Sequence, residues 1–323
     1  MFERGNTKSS IGFLAVLACC GVANAAEPGA LNYPPGSSGV LQNALPPIPG
    51  LFAVSQTGYS YANGLYDGNG NKISALDYRL NAKVETLRLI ASYPFQLFGA
   101  HLYQQVVIPL GGVNQTITPL VGPFAGTHFD SSSTGLGNVA IDPFILLWDL
   151  PNHQKATLGL EIGTPLATYD KAKALAGKVN FGNGYTSFMP VAGYRYDVPN
   201  GPVASVMGRA YFNTTNSTTN YRTGTILEAD FNLGWNFDRW QVGIVGSFTK
   251  QVSDDVQRGV AIGNRLTALA AGPSIAYNFG AGVVNLNYQP AIHTSNGANT
   301  SSVWLNVAFP LYVPTPPKDV ASR

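Results

Sequence analysis

Cysteine, charge and long apolar runs are all scarce in this chain, and each scarcity closes a class of function. The two cysteines, Cys19 and Cys20, both fall in the first 25 residues. Those residues have the layout of a secretory leader: Arg4 and Lys8, an apolar stretch over residues 11–22, then Ala23-Asn24-Ala25 as a small-x-small cleavage site. Val16-Leu17-Ala18-Cys19 offers a lipoprotein-type alternative, although its apolar run is short and Leu17 fits it poorly. Cleavage after Ala25 leaves a chain without cysteine, which excludes structural disulfides, thiol catalysis and thiolate metal sites. Charged residues make up 11% of the sequence, against ~25% in an average soluble domain. Without the leader, 17 basic and 16 acidic residues remain. No basic cluster stands out among them, so nucleic acid is not an expected partner. No apolar run beyond the leader approaches the ~20 residues of a membrane-spanning helix. The four histidines, His101, His128, His153 and His293, lack ligand spacing, and neither metal nor cofactor is expected.

What the chain does have is glycine, at 36 residues, aromatics at 11%, and a mean hydropathy of +0.05. It also has strand-sized segments whose separations alternate in length. Short gaps fall at residues 94–98, 149–155, 197–201, 238–239 and 280–282. Long gaps centre on 63–76, 112–136, 165–184, 213–222, 250–264 and 291–300. Tight turns on one side and loose loops on the other predict an all-β, up-and-down antiparallel barrel of twelve strands in a bacterial outer membrane. A leader that delivers the N-terminus to the periplasm places the short gaps on that side. The predicted organisation is a leader over 1–25, a Pro/Gly-rich segment over 26–50, the barrel over 51–311, and a proline-rich tail over 312–323. The segment over 26–50 carries Pro34-Pro35-Gly36 and Pro46-Pro47-Ile48-Pro49-Gly50, and reads as a periplasmic extension or a plug.

The clearest strand spans residues 225–237. Leu227, Ala229, Phe231, Leu233, Trp235 and Phe237 share one face; Glu228, Asp230, Asn232, Gly234 and Asn236 share the other. Similar alternation sets Leu158, Leu160 and Ile162 against Thr157, Gly159 and Glu161. Strands near 51–61, 78–91, 100–110 and 138–148 are noisier. Aromatics beside the short gaps, among them Tyr93, Phe95, Phe98, Trp148, Trp235, Phe237 and Trp240, fit an interfacial girdle. On the polar faces, Glu161, Arg195, Arg209, Glu228 and Asp230 are the candidate pore-lining residues, with Lys83, Glu85 and Arg88 on a less regular one. Mixed signs suggest a bonded charge network, whether it fills the lumen or meets solute. Pro109, Pro143, Pro190, Pro273 and Pro290 lie in or near the outer ends of strands, where proline removes a ladder donor. Bulges explain that placement. A sharper expectation is that Pro143, Pro190 and Pro273 mark an opening in the wall for apolar solute.

Other motifs carry less. Gly135-Leu136-Gly137-Asn138-Val139-Ala140 spells a dinucleotide fingerprint without the βαβ context it needs. Asp67-Gly68-Asn69-Gly70-Asn71 opens like a calcium loop, but Lys72 and Tyr78 occupy its glycine and glutamate positions, so a turn is the better reading. His128 with Asp130 and Ser131, or His293 with Ser295, could build a hydrolase at the rim, yet their polar loop setting favours ordinary solvated residues.

The chain resembles the outer-membrane proteins grouped as the meta-pathway phenol degradation family. Its matching stretches are Asn32-Tyr33-Pro34-Pro35-Gly36, Leu45-Pro46-Pro47 through Gly50, and Leu76-Asp77-Tyr78-Arg79-Leu80. Further ones are Pro109-Leu110-Gly111-Gly112, Gly135-Leu136-Gly137-Asn138, Thr164-Pro165 with Thr168-Tyr169-Asp170, and Phe309-Pro310-Leu311. Thr164-Pro165-Leu166-Ala167 departs from the family's Pro-Thr-Gly stretch in an outer loop. The resemblance implies a transporter-like barrel admitting aromatic or other hydrophobic compounds, and no catalytic residues. The expected function is passive uptake of such compounds, with outer-membrane lipid, the solute and the barrel-assembly machinery as partners. A rim hydrolase of lipase or esterase type, or a structural or adhesive barrel, are the alternatives.

Overall fold

The computed structural model describes residues 31–314, so the expected leader and the end of the tail lie outside the described residues. The barrel strands are β1 Gly50–Ala62, β2 Leu76–Leu97, β3 Ala100–Pro119, β4 Ala140–Leu150, β5 Gln154–Gly163 and β6 Ser187–Asp197. They continue as β7 Pro202–Asn213, β8 Ile226–Phe237, β9 Trp240–Gln251, β10 Thr267–Asn278, β11 Val283–Gln289 and β12 Ser301–Tyr312. Each pairs antiparallel with its neighbours in the chain, and β1 pairs with β12 from Leu51↔Tyr312 to Tyr61↔Ser301. Closure removes the free edges that lipid cannot solvate. The chain thus forms the twelve-stranded barrel expected from its gaps.

Burial is inverted relative to a water-soluble protein. Gln56, Glu161, Arg209, Asp230, Asn285 and Asn306 are buried, while Leu158, Phe188, Leu233, Val242, Ile244 and Leu286 are exposed. An apolar outer face of this kind is stable only against hydrocarbon, since each fully exposed leucine-sized side chain would cost ~1.5–3 kcal/mol in water. The short turns use residues that tolerate left-handed backbone: Asn152 at φ 59°, Asn200 at 51°, Asp238 at 51° and Gly280 at 90°. Beside them Phe95, Trp235, Phe237 and Trp240 are exposed. The Trp240 and Tyr277 rings lie 4.6 Å apart, and Trp148 Nε1 donates to the Phe98 carbonyl at 3.0 Å. An aromatic girdle at the water–lipid boundary accounts for this placement.

Three sequence expectations need correction. The loop expected over 112–136 is much shorter, because β3 runs to Pro119 and a further strand, Phe129–Leu136, pairs with its upper part. These strands rise beyond the lipid, so their outward faces are polar and the alternation that marks a membrane strand disappears. The gap expected at 291–300 is likewise shortened, since Ala291–Ser295 resumes the strand after Pro290 and pairs with β10. Lys83 and Glu85 do not join Arg88 inside the barrel. Odd-numbered residues of β2 point outward, and Glu85 accepts hydrogen bonds from Ser55 Oγ at 2.6 Å and from the Thr57 hydroxyl. The outward face of β2 changes from polar to apolar between Glu85 and Leu87, at the upper limit of the lipid band.

The prolines sit at irregularities in a wall that stays closed above and below them. At Pro143, β4 sets two residues, Asp142 and Pro143, opposite Glu161 alone, and Gln104 Nε2 caps the Pro143 carbonyl at 2.9 Å. This is a β-bulge. The ladder between β6 and β7 skips Met189 and Pro190 without a change of register. Pro273 faces the stretch around Pro290, where β10 passes from pairing with β11 to pairing with Ala291–Ser295.

From Leu31 to Pro49 the chain runs through the barrel interior, making a single 3-10 turn at Gly39–Leu41. It has little regular structure, so the wall satisfies its backbone. Gln289 Nε2 donates to the Gly36 carbonyl at 2.8 Å, and Gln56 Nε2 and Asn306 Nδ2 both donate to the Ser37 carbonyl at 2.9 Å. Arg195 Nη1 donates to the carbonyls of Val40 at 2.9 Å and Gln42 at 3.1 Å.

Candidate functional site

The interior at mid-height is a charged belt contributed by neighbouring strands on one side of the barrel. Alternation aims Glu161 from β5, Arg209 from β7, and Glu228 and Asp230 from β8 at the same space, and the bulge in β4 adds Asp142. Arg209 is the centre of it. Its guanidinium lies 3.5 Å from Glu161, 3.7 Å from Glu228 and 3.5 Å from Asp230, with side chains 3% exposed or less. Its Cζ also stands 4.0 Å above the Tyr33 ring, a cation–π contact with the interior segment. Asp230 in turn accepts the Gly36 N–H at 2.7 Å, and Tyr211 donates to Glu228. Such charges tolerate burial only because they face one another.

Four of the five expected pore-lining residues, Glu161, Arg209, Glu228 and Asp230, therefore form one network. Arg195 stands apart from it. It pairs with Asp197 at 2.7 Å and holds the Val40 and Gln42 carbonyls, so it grips the interior segment. Asp142 escaped the sequence reading as a site residue, while Arg88 was expected only on a less regular face. Asp142 is buried and accepts from Gln105 Nε2 at 2.7 Å. Arg88 donates to Gln105 Oε1 at 2.6 Å and reaches Tyr33 and Ser38. The Asp142-Pro143 bulge breaks the alternation that would have marked Asp142; the adjacent proline was the available signal.

Apolar clusters lie beyond the belt on both sides. Under the outer loops, Leu76, Tyr78, Ile117 and Phe129 pack from inward faces of β2, β3 and the added strand. Toward the short turns, Phe52, Val54, Ile90, Tyr103, Ile145 and Leu147 pack with Leu41 and Leu45 of the segment. A cavity of about 40 Å³ lies between the segment and the wall, lined by Gln42, Arg88, Asp142, Glu161 and Arg209 among others. An apolar cavity that takes up benzene measures ~150 Å³, so this space suits water-sized occupants.

Of the rim candidates, His128, Asp130 and Ser131 each bond elsewhere instead of to one another. Thr118 is the partner of His128 Nδ1 at 2.7 Å, while Ser131 Oγ accepts the Val179 N–H at 3.0 Å and Asp130 accepts from Thr116. The Asp67 turn is held by its own backbone, with N–H donors from Asn71 and Asn69 that lower the carboxyl's pKa. Among the described residues, no three His, Cys, Asp or Glu side chains group as a metal-ligand set.

Comparison with known proteins places the architecture. The model of the family described as "Putative MetA-pathway of phenol degradation" matches residues 62–307. The crystal structure of the COG4313 outer membrane channel from Pseudomonas putida F1 is similar, with 17% identity, coverage of 84% of this chain and 98% of that one, and a TM-score of 0.70. The Ralstonia pickettii toluene transporter TbuX matches at 8% identity, 86% and 92% coverage, and a TM-score of 0.40. The beta domain of the Bordetella autotransporter BrkA matches at 12% identity, 81% and 99% coverage, and 0.45. No curated protein matches the chain.

Proposed function

Since the chain belongs to the phenol-degradation family whose model spans residues 62–307, we propose that this outer-membrane barrel is a passive channel for small hydrophobic or aromatic compounds. The observation that carries the reading is the combination of a filled lumen with an apolar outer cluster. Residues 31–49 cross the interior, and the cavity between them and the charged belt measures about 40 Å³, below what an aromatic ring needs. In this reading the segment is a plug, and solute entering past Leu76, Tyr78, Ile117 and Phe129 does not continue straight down the axis. It leaves sideways where prolines weaken the wall, with Pro143 and Pro190 nearest the charged belt.

The charged belt has two roles in this reading. Arg209 and its carboxylates hold the plug, and they present a desolvation cost to an apolar solute that would turn it toward the wall. No residue is assigned a catalytic role. The hydrolase alternative predicts ester or lipid cleavage by purified protein.

The deciding experiment is growth of a deletion strain on limiting phenol or toluene-like carbon sources, with and without the complementing gene. Slower growth restored by complementation is the expected result. Normal growth of the deletion strain across a broad panel would overturn uptake as the function.

A further inference from the structure

The cavity between the interior segment and the wall holds two carboxylates that face each other across the β4–β5 bulge. Asp142 and Pro143 stand opposite Glu161, and inward side chains opposed across a strand pair have Cβ atoms ~4.5–5.5 Å apart. Asp142 Oδ2 is used by Gln105, and Glu161 Oε2 faces Arg209 at 3.5 Å. Asp142 Oδ1 and Glu161 Oε1 have no hydrogen-bond partner within the protein, and neither amide atom of Gln42, Oε1 or Nε2, has one on the segment side of the cavity, so its amide is free to turn Oε1 toward the carboxylates. Gln42, Asp142 and Glu161 are 1%, 5% and 2% exposed. A buried acceptor oxygen left without a partner is costly, and a charged one more so than a neutral one. Three such oxygens around one small cavity, two of them on carboxylates, call for a ligand with positive charge.

The surrounding charge agrees. Fully ionised, Asp142, Glu161, Glu228 and Asp230 would carry four negative charges, and of the cations near them Arg209 faces Glu161, Glu228 and Asp230 while Arg88 is held by Gln105. Arg195 is already paired with Asp197. In the ionised state the belt is two positive charges short, a deficit that either a bound cation or protonation would remove. We propose that a calcium ion binds between Asp142 Oδ1, Glu161 Oε1 and Gln42 Oε1, tying the interior segment to the wall. All three donors are oxygen, which suits a hard cation, and calcium tolerates irregular geometry and completes its shell with water. Magnesium demands a near-ideal octahedron and keeps several waters, for which about 40 Å³ offers little room. Thr157 and Asn43 also carry unpartnered oxygens in this cavity. Thr157 lies four residues from Glu161 along β5, ~13 Å at strand rise, so it does not join the same shell. The inference holds whichever solute the barrel passes.

The test is calcium binding to detergent-purified protein after a chelator wash, read by equilibrium dialysis and elemental analysis. Wild type should take up one calcium per chain, and calcium should raise the temperature at which the folded, fast-migrating band is lost. Asp142→Asn with Glu161→Gln should abolish both effects. Gln42→Leu, which leaves the strands untouched, should weaken binding about tenfold or more. Asp254→Asn, in an exposed loop pair with Arg265, should bind as wild type does. Stoichiometric binding kept by the double variant would overturn the site and point to calcium carried by lipopolysaccharide. No uptake by wild type, with the same stability in chelator and calcium, would overturn it in favour of a shared proton or water. If the double variant fails to assemble, unchanged affinity in Gln42→Leu overturns the proposed shell and weakened affinity supports it.

Discussion

Arg209 is the residue on which most of the interior depends. It faces Glu161, Glu228 and Asp230 and lies over Tyr33, so its loss strands three carboxylates at once. Arg209→Met should lower stability by about 3–5 kcal/mol, the usual cost of removing one partner from a buried ion cluster. Urea or thermal loss of the folded band would measure it, and a change under about 1 kcal/mol would mean the carboxylates are neutralised in another way. Gly36 is a second sensitive point. Its φ is +75°, and a methyl group there would collide with Gln289 Oε1. Gly36→Ala should therefore expel the segment around it while leaving the barrel assembled, since the wall is unchanged. Single-channel recordings should show more frequent or larger openings than wild type. These residues were legible in the sequence to different degrees. Arg209, Glu228 and Asp230 lie on strands whose alternation is intact, so parity alone assigned them inward. Asp142 could not be read that way, because a bulge shifts parity locally and is fixed by pairing with β3 and β5.

Among the elements, β2 and β3 show how a solvent boundary hides a strand. Below Glu85 the outward face of β2 is apolar and above it polar, so a strand of 22 residues shows the membrane pattern for only part of its length. The chain signalled the tight turns clearly, because Asn, Asp and Gly fill most of the positions in them where φ turns positive, with Phe98 and His153 as exceptions. The prolines are the element-scale question that bears on transport. Replacing Pro143 or Pro190 with valine should reduce uptake of hydrophobic substrate and leave assembly intact, as judged by the mobility shift between boiled and unboiled samples. Unchanged uptake in both variants would place the exit elsewhere. Pro143→Val would add an N–H at a bulge whose carbonyl Gln104 already caps, so a modest loss of stability, about 1 kcal/mol, is expected there.

For the molecule as a whole, the proposed role of the interior segment as a plug makes it the element that sets what can pass. Deleting residues 31–49 removes the backbone carbonyls that Gln56, Gln289, Asn306 and Arg195 use. Those side chains would then be hydrated at modest cost, while Phe52, Val54 and their neighbours would lose their contacts with Leu41 and Leu45. The deletion should keep the heat-modifiable band and raise single-channel conductance several-fold. Unchanged conductance would mean that the outer loops, not the segment, limit flow.

The sequence by itself determined the barrel: its strand number and, on the regular strands, which faces meet lipid. Period-two alternation and loop length are local properties, and a chain between lipid and a polar interior must write them into neighbouring residues. It left open whether residues 26–50 hang in the periplasm or fill the lumen, since a proline-rich segment has no face to pattern. Only the tertiary structure decided that the described part lies inside, that Asp142 meets Glu161 across a bulge, and that Lys83 and Glu85 look outward. Each of these depends on contacts between residues distant in the chain, where pairing register and hydrogen-bond partners, not local pattern, set the outcome.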